Sequence, residues 1–309
     1  MHPAYSIIWF TTLSGAGYGL AAFLGLGIVA VQGWMAALAY GLAFALIGGG
    51  LMSSTFHLGH PERAWRALSQ WRSSWLSREG VLALATFAPL SASAVWAIVF
   101  GQYLPGAGVV LALLCGLTVY ATSMIYASLR TVHQWHTWAT SACYLAFAAS
   151  SGFVLLIAIS APLARSGIAS PAAMALMALA WTFKLMWWHR ADTSQSASTA
   201  SSALGLPESA NPRRLEAPHT GTNYLCQEMG YKIARKHGAR LRAIAVGLGG
   251  LVPVLCLFAA GTLNGFAAQA LVAVAAVTHF AGIVVERWLF FAQARHVVML
   301  YYGAYDDHR

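Results

Sequence analysis

The chain has 309 residues, of which 59% are hydrophobic and only 9% charged, with a formal net charge of +9 and a mean hydropathy of +0.62. Soluble domains carry about 25% charged residues, so this composition excludes an ordinary soluble enzyme and points to an all-α integral membrane protein. A membrane β-barrel is excluded too, because barrel strands alternate apolar and polar residues in segments of about ten, whereas the runs here are long and apolar all round.

A helix crossing a bilayer core of about 30 Å needs about 20 apolar residues. Eight such spans are predicted, at about 6–32, 34–56, 80–100, 108–128, 139–160, 171–189, 243–263 and 266–293. The first follows "MHPAYSIIW", which has no Lys or Arg, and it is longer than a signal-peptide core, so it is expected to stay in the mature protein. Spans one and two carry Gly15, Gly17, Gly19 and Gly48, Gly49, Gly50. "GAGYG" follows no strand, so it reads as close helix packing and not as a dinucleotide loop. Span two runs into "STFHLGHPERAWRALSQWRSSWLSREG", the densest polar stretch of the chain.

Outer connections such as "VFGQYLPGAG" and "GTLNGF" are short and nearly uncharged. The connection at 191–223 is rich in Ser, Thr, Ala and Pro and is expected to be a flexible loop. "YLCQEMGYKIARKHGARLRAIAV" after it reads as a basic amphipathic helix leading into span seven. Trp75-Leu76-Ser77-Arg78-Glu79 before span three is echoed by Tyr224-Leu225-Cys226-Gln227-Glu228 before span seven. Residues 1–309 are therefore expected to form one membrane domain of two four-helix units, 1–130 and 131–309. Cys115, Cys143, Cys226 and Cys256 have no metal-binding or haem-attachment spacing.

With eight spans, both termini and connections 2–3, 4–5 and 6–7 share one side. That side holds Arg63, Arg66, Arg72, Arg78, Arg130, Arg190, Arg213, Arg214, Lys232, Arg235, Lys236, Arg240, Arg242, Arg295 and Arg309, against Arg165 alone on the other. By the positive-inside rule the basic side and both termini are expected to be cytoplasmic; the membrane expected is the inner membrane of a bacterium. The positive charge is thus a topological signal and an attraction for anionic lipid or an acidic partner, with no nucleic acid implied. Most tryptophans also fall near this boundary, as an aromatic belt does.

Polar groups converge in depth at that same rim: His57, His60, Glu62 and Arg63 after span two, Arg78 and Glu79 before span three, and Glu286 and Arg287 near the end of span eight. His279 lies about two turns deeper. An ionisable residue at the bilayer centre costs about 2.5–3.5 kcal/mol, so those kept near or below the interface call for a function. The arginines of the connection also read as solvated topogenic charges, and Glu286 and Arg287 as a self-neutralising pair. A quinone is the ligand that fits: its ring partitions into lipid while its oxygens need hydrogen bonds and protons, which His and carboxylate supply. Haem is not expected, because bis-imidazole ligation needs two facing histidines and only His279 lies inside a span; His133 and His136 sit on a connection. No metal ligand set, HExxH, CxxC or Walker pattern is present.

The segment "SSTFHLGHPERAWRALSQWRSSWLSREG", the ending "ERWLFFAQARHV" and the eight-span plan resemble the membrane anchor subunit of DMSO reductase-type molybdoenzymes, including the anchor of the cytoplasmic sulfite-oxidising enzyme. The resemblance covers nearly the whole chain. It implies an anchor that binds ubiquinone or menaquinone and holds an Fe–S electron-transfer subunit and a molybdopterin catalytic subunit on the cytoplasmic side, the Fe–S clusters and molybdopterin residing in those partners. By position, it places the quinone-site histidine on His57, the acidic residue opening span three on Glu79 and the basic residue before the aromatic pair on Arg287. His60, Arg63, Glu286 and His279 are supporting candidates. His60, where the DMSO reductase anchor has Ser after His-Leu-Gly, and the Glu62-Arg63 pair favour the sulfite-oxidising branch, with electrons passing from sulfite to quinone. A quinol-oxidising anchor of a DMSO or polysulfide reductase, a secondary transporter and a purely structural tether are the alternatives.

Overall fold

The computed structural model describes residues 1–302 except 30, 57, 161–167, 195, 197, 208, 211, 213–214, 217–227 and 230–236. Among the described residues eight helices are long and apolar enough to cross a membrane: α1 (Tyr5–Gly25), α2 (Gly33–Thr55), α3 (Trp75–Val99), α4 (Pro105–Ala127), α5 (Trp138–Ile159), α6 (Ala169–Thr193), α7 (Gly238–Thr262) and α8 (Gly265–Ala292). Among the described residues there is no strand, only an isolated antiparallel bridge between Val132 and His296. The expected flexible loop at 191–223 and the expected basic helix at 224–246 fall partly outside the described residues. What is seen there is a four-residue helix at Ala200–Ala203 and α7 from Gly238 onward.

Local chemistry sets the helix ends. Pro105 opens α4, where its missing N–H costs nothing. Thr137 caps α5 by accepting the Ala139 N–H at 3.4 Å. Gly101, with φ +63°, makes the reversal after α3 that an L side chain resists.

The helix α1 packs on α2 and α4, and α3 packs on the same two. In the second half α5 packs on α6 and α8, and α7 on that pair, while α1 and α5 meet at the centre. The central contact needs glycine: a Cβ on Gly19 would overlap the Ala148 carbonyl, and one on Gly152 would overlap the Gly19 backbone. Gly17 and Gly50 are likewise pressed against α2 and α1. With no hydrophobic drive between helices in lipid, such close backbone approach is what holds them together.

His279 belongs to this framework. Its Nδ1 donates to the Gly249 carbonyl at 2.5 Å, and its Nε2 lies 3.1 Å from Ser150 Oγ. Gly249 sits in a π-helical turn, Gly247–Leu251, inside α7. The imidazole therefore joins α5, α7 and α8 with both ring nitrogens engaged.

Candidate functional site

The basic-side ends of α1, α4, α5 and α8 enclose a polar cavity lined by Thr11, Thr12, Tyr18, Thr122, Tyr144 and Arg287, with apolar contributions from Val119, Phe147 and Ile283. The cavity volume is about 20 Å³, room for a water or a ligand oxygen.

Two buried acidic sites flank this cavity. On one side Glu79, one turn into α3 and 5% exposed, accepts the Thr122 hydroxyl of α4 at 2.5 Å. The preceding residue turns the other way: Arg78 donates to the carbonyls of Trp71 and Arg72 at 3.0 and 2.7 Å, and its guanidinium covers the Trp75 ring. Helix periodicity thus sends adjacent charges to water and to the interior.

On the other side, Glu286 is fully buried between two cations. Lys184 Nζ of α6 lies 2.5 Å from its Oε1, and Arg287 Nε lies 3.1 Å from its Oε2. Lys184 is itself held over the Trp187 ring at 3.9 Å, and the Arg287 guanidinium over the Tyr144 ring at 3.9 Å. Trp135 fixes α8 beside them by donating to the Phe290 carbonyl at 3.1 Å. Trp187 donates to Thr140 Oγ1 at 3.0 Å, and Thr140 donates to the Trp135 carbonyl at 2.8 Å. At the rim, Arg242 of α7 grips Asp192 of α6 through two bonds of 2.5 and 2.9 Å and reaches Gln293 at 3.1 Å.

Three buried polar atoms in the cavity wall have no hydrogen-bond partner among the described residues: Thr12 Oγ1, Tyr18 Oη and Arg287 Nη1. The Tyr144 hydroxyl, close to the guanidinium, makes no well-aligned hydrogen bond either. An unsatisfied buried polar group costs about 1–3 kcal/mol, so several in one wall mark a place for a ligand or water that satisfies them.

The structure therefore places Arg287 in the wall of the cavity, Glu79 behind that wall at Thr122 and Glu286 in an ion pair with Arg287. His60, Glu62 and Arg63 do not join them. They lie exposed on a 3₁₀ segment, Pro61–Gln70, where His60 Nδ1 and Arg63 Nε meet Glu62 Oε1 at 3.0 and 3.8 Å. His57 lies outside the described residues. His279 stands in the helix framework, bonded to Gly249 and Ser150. On the α4–α5 connection, His133 bonds Ser194 at 2.8 Å and His136 donates from Nδ1 to the Ala127 carbonyl at 2.7 Å. Burial, the Arg190 charge and His136 hold the His133 imidazole below its usual pKa.

Lys184, Thr12, Tyr18, Thr122 and Tyr144 do not stand out in the sequence reading. Lys184 carries a usable signal, since a lone lysine inside an apolar span requires a counter-charge, and Glu286 is the carboxylate at matching depth. Threonine and tyrosine are ordinary in such spans and give none.

The sequence profile of the DMSO reductase anchor subunit (DmsC) family matches residues 1–303. The chain is also 34% identical to a sulfite dehydrogenase component of Allochromatium vinosum over 325 aligned positions, covering 98% of this chain and 99% of that protein. No solved structure matches it.

Proposed function

This chain belongs to the family of DMSO reductase anchor subunits, and from that premise we propose that it is the quinone-binding anchor of a sulfite-oxidising complex. In this reading an Fe–S electron-transfer subunit and a molybdopterin catalytic subunit dock on the basic, cytoplasmic end of the bundle. That end holds both termini, in the inner membrane of a bacterium, and electrons pass from the Fe–S subunit to the quinone pool. The observation that carries the reading is the cavity whose wall leaves Thr12, Tyr18 and Arg287 without partners in an otherwise apolar bundle.

A bound quinone supplies the redox chemistry, taking up electrons and protons at its two oxygens. The residues do the rest. Arg287 Nη1 and the Tyr18 hydroxyl offer hydrogen bonds to a ring oxygen, and Thr12 adds a third polar contact. Glu79, one hydroxyl behind the wall at Thr122, is the group that exchanges protons with the cavity. Its position about one turn from the helix end gives a short path to the aqueous side. Val119, Phe147 and Ile283 leave the ring in an apolar surround that excludes bulk water. The 34% identity with a sulfite dehydrogenase component over 98% of the chain supports sulfite as the donor of the complex.

The test is quinone-linked turnover in the assembled complex carrying Glu79→Gln or Arg287→Gln. Each is expected to lower sulfite-to-quinone turnover by about tenfold or more. Sulfite oxidation with a water-soluble artificial acceptor, which bypasses the membrane site, should stay at the parent rate. Unchanged quinone turnover in both variants would remove this cavity from the reaction.

A further inference from the structure

Two cations share one carboxylate behind the cavity wall. Lys184, Glu286 and Arg287 are each 3% exposed or less, so the cluster carries a formal excess of one positive charge inside an apolar bundle. Lys184 does not line the cavity; its ammonium faces Glu286 and the Trp187 ring. Arg287 does line it, with Nη1 unpartnered. The excess charge is therefore presented to the cavity by Arg287. Among the described residues no carboxylate other than Glu286 lies within ion-pair distance of that guanidinium, Glu79 behind Thr122 included. A neutral carbonyl oxygen satisfies the hydrogen bond of Nη1 and leaves the charge unanswered. An oxyanion satisfies both, and hydrogen bonds between ionised partners are about twice as strong as neutral ones.

We propose that the cavity binds its quinone-type ring preferentially as an oxyanion on Arg287, and that Lys184 is the positioning residue that makes this possible by claiming the other half of the Glu286 carboxylate. The proposal rests on the quinone reading above. Without Lys184, Glu286 and Arg287 become a one-to-one pair and the cavity loses its charge. If Lys184 and Glu286 are neutralised together, Arg287 is again unbalanced and the preference returns. A purely structural role for Lys184 predicts the opposite, because removing two buried groups then does at least as much harm as removing one.

The experiment is isothermal titration of the purified complex with 2-hydroxy-1,4-naphthoquinone, which is ionised at neutral pH, and with 1,4-naphthoquinone, which has no ionisable group. The parent complex is expected to bind the ionised ring about tenfold more tightly than the neutral one. Lys184→Met should abolish the difference, Lys184→Arg should keep it, and Lys184→Met/Glu286→Gln should restore it. If Lys184→Met alone fails to assemble, the parent and the double variant decide the matter. Equal affinities in the parent, or a double variant without preference, overturn the inference while leaving a quinone site in place. Failure of both rings to bind overturns the quinone reading beneath it.

Discussion

The same dipeptide occurs twice in this chain with opposite fates. Glu62-Arg63 lies on the exposed 3₁₀ segment after α2, its ion pair stretched to 3.8 Å and both side chains more than half exposed. Glu286-Arg287 lies within α8, its ion pair at 3.1 Å and both side chains 3% exposed or less. Exposed pairs are screened and worth about 0–1 kcal/mol. Buried charges cannot be left unpaired, so the second dipeptide recruits Lys184 from 102 residues away and two aromatic rings besides. Identity of residues in the sequence thus says little about role; depth and the neighbours that depth enforces decide it.

The contrast is broken most sharply by deleting each carboxylate in turn. Glu286→Ala leaves two buried cations facing each other and should destabilise the bundle by about 3–5 kcal/mol, read as loss of folded complex and a lower Tm in mild detergent. Glu62→Ala should change stability by less than about 0.5 kcal/mol. Comparable losses from the two variants would mean that burial does not separate them. A smaller effect comes from the framework: His279→Leu removes the bonds to Gly249 and Ser150 and should cost about 1–3 kcal/mol while leaving naphthoquinone affinity unchanged. A fall in affinity as large as that of Arg287→Gln would move His279 into the site.

The smallest effect expected is on pH dependence at the rim. His133 is held below its usual pKa by burial and by the Arg190 and His136 charges, so the folded state favours its neutral form. The unfolded chain binds the proton more readily, and the stability His133 contributes is present above the unfolded pKa and lost as pH falls through the folded one. Melting curves between about pH 7.5 and about pH 5.5 should show Tm dropping on acidification, less steeply in His133→Gln. His296, lowered by burial as well, adds to the same slope and remains in that variant.

Much of the fold can be read from the residues because lipid imposes a simple rule: about 20 apolar residues, helical, with every backbone group satisfied. The ends are harder. The apolar pattern starts span three at 80, after the charges, but the helix begins at Trp75 because Arg78 folds back onto Trp71 and Arg72 while Glu79 turns inward to Thr122. The site is half legible. Glu79 and Arg287 stand out as charges below the interface; Arg287 lines the cavity, and Glu79 lies behind Thr122 of its wall. Their partners do not, because Thr122 and Lys184 lie 43 and 102 residues from Glu79 and Glu286, and which helix faces another is set by close glycine contacts such as Gly19 on Gly152.

The central claim is that the quinone meets the protein at the buried charges and not at the exposed cluster of the same residue types. Photolabelling the intact complex with an azido-quinone, followed by peptide mapping, separates the two directly. Label on the α1 segment around Thr12 and Tyr18 and on the α8 segment around Arg287, competed by excess quinone, is the result the account predicts. Competed label confined to the exposed 58–74 connection would contradict it.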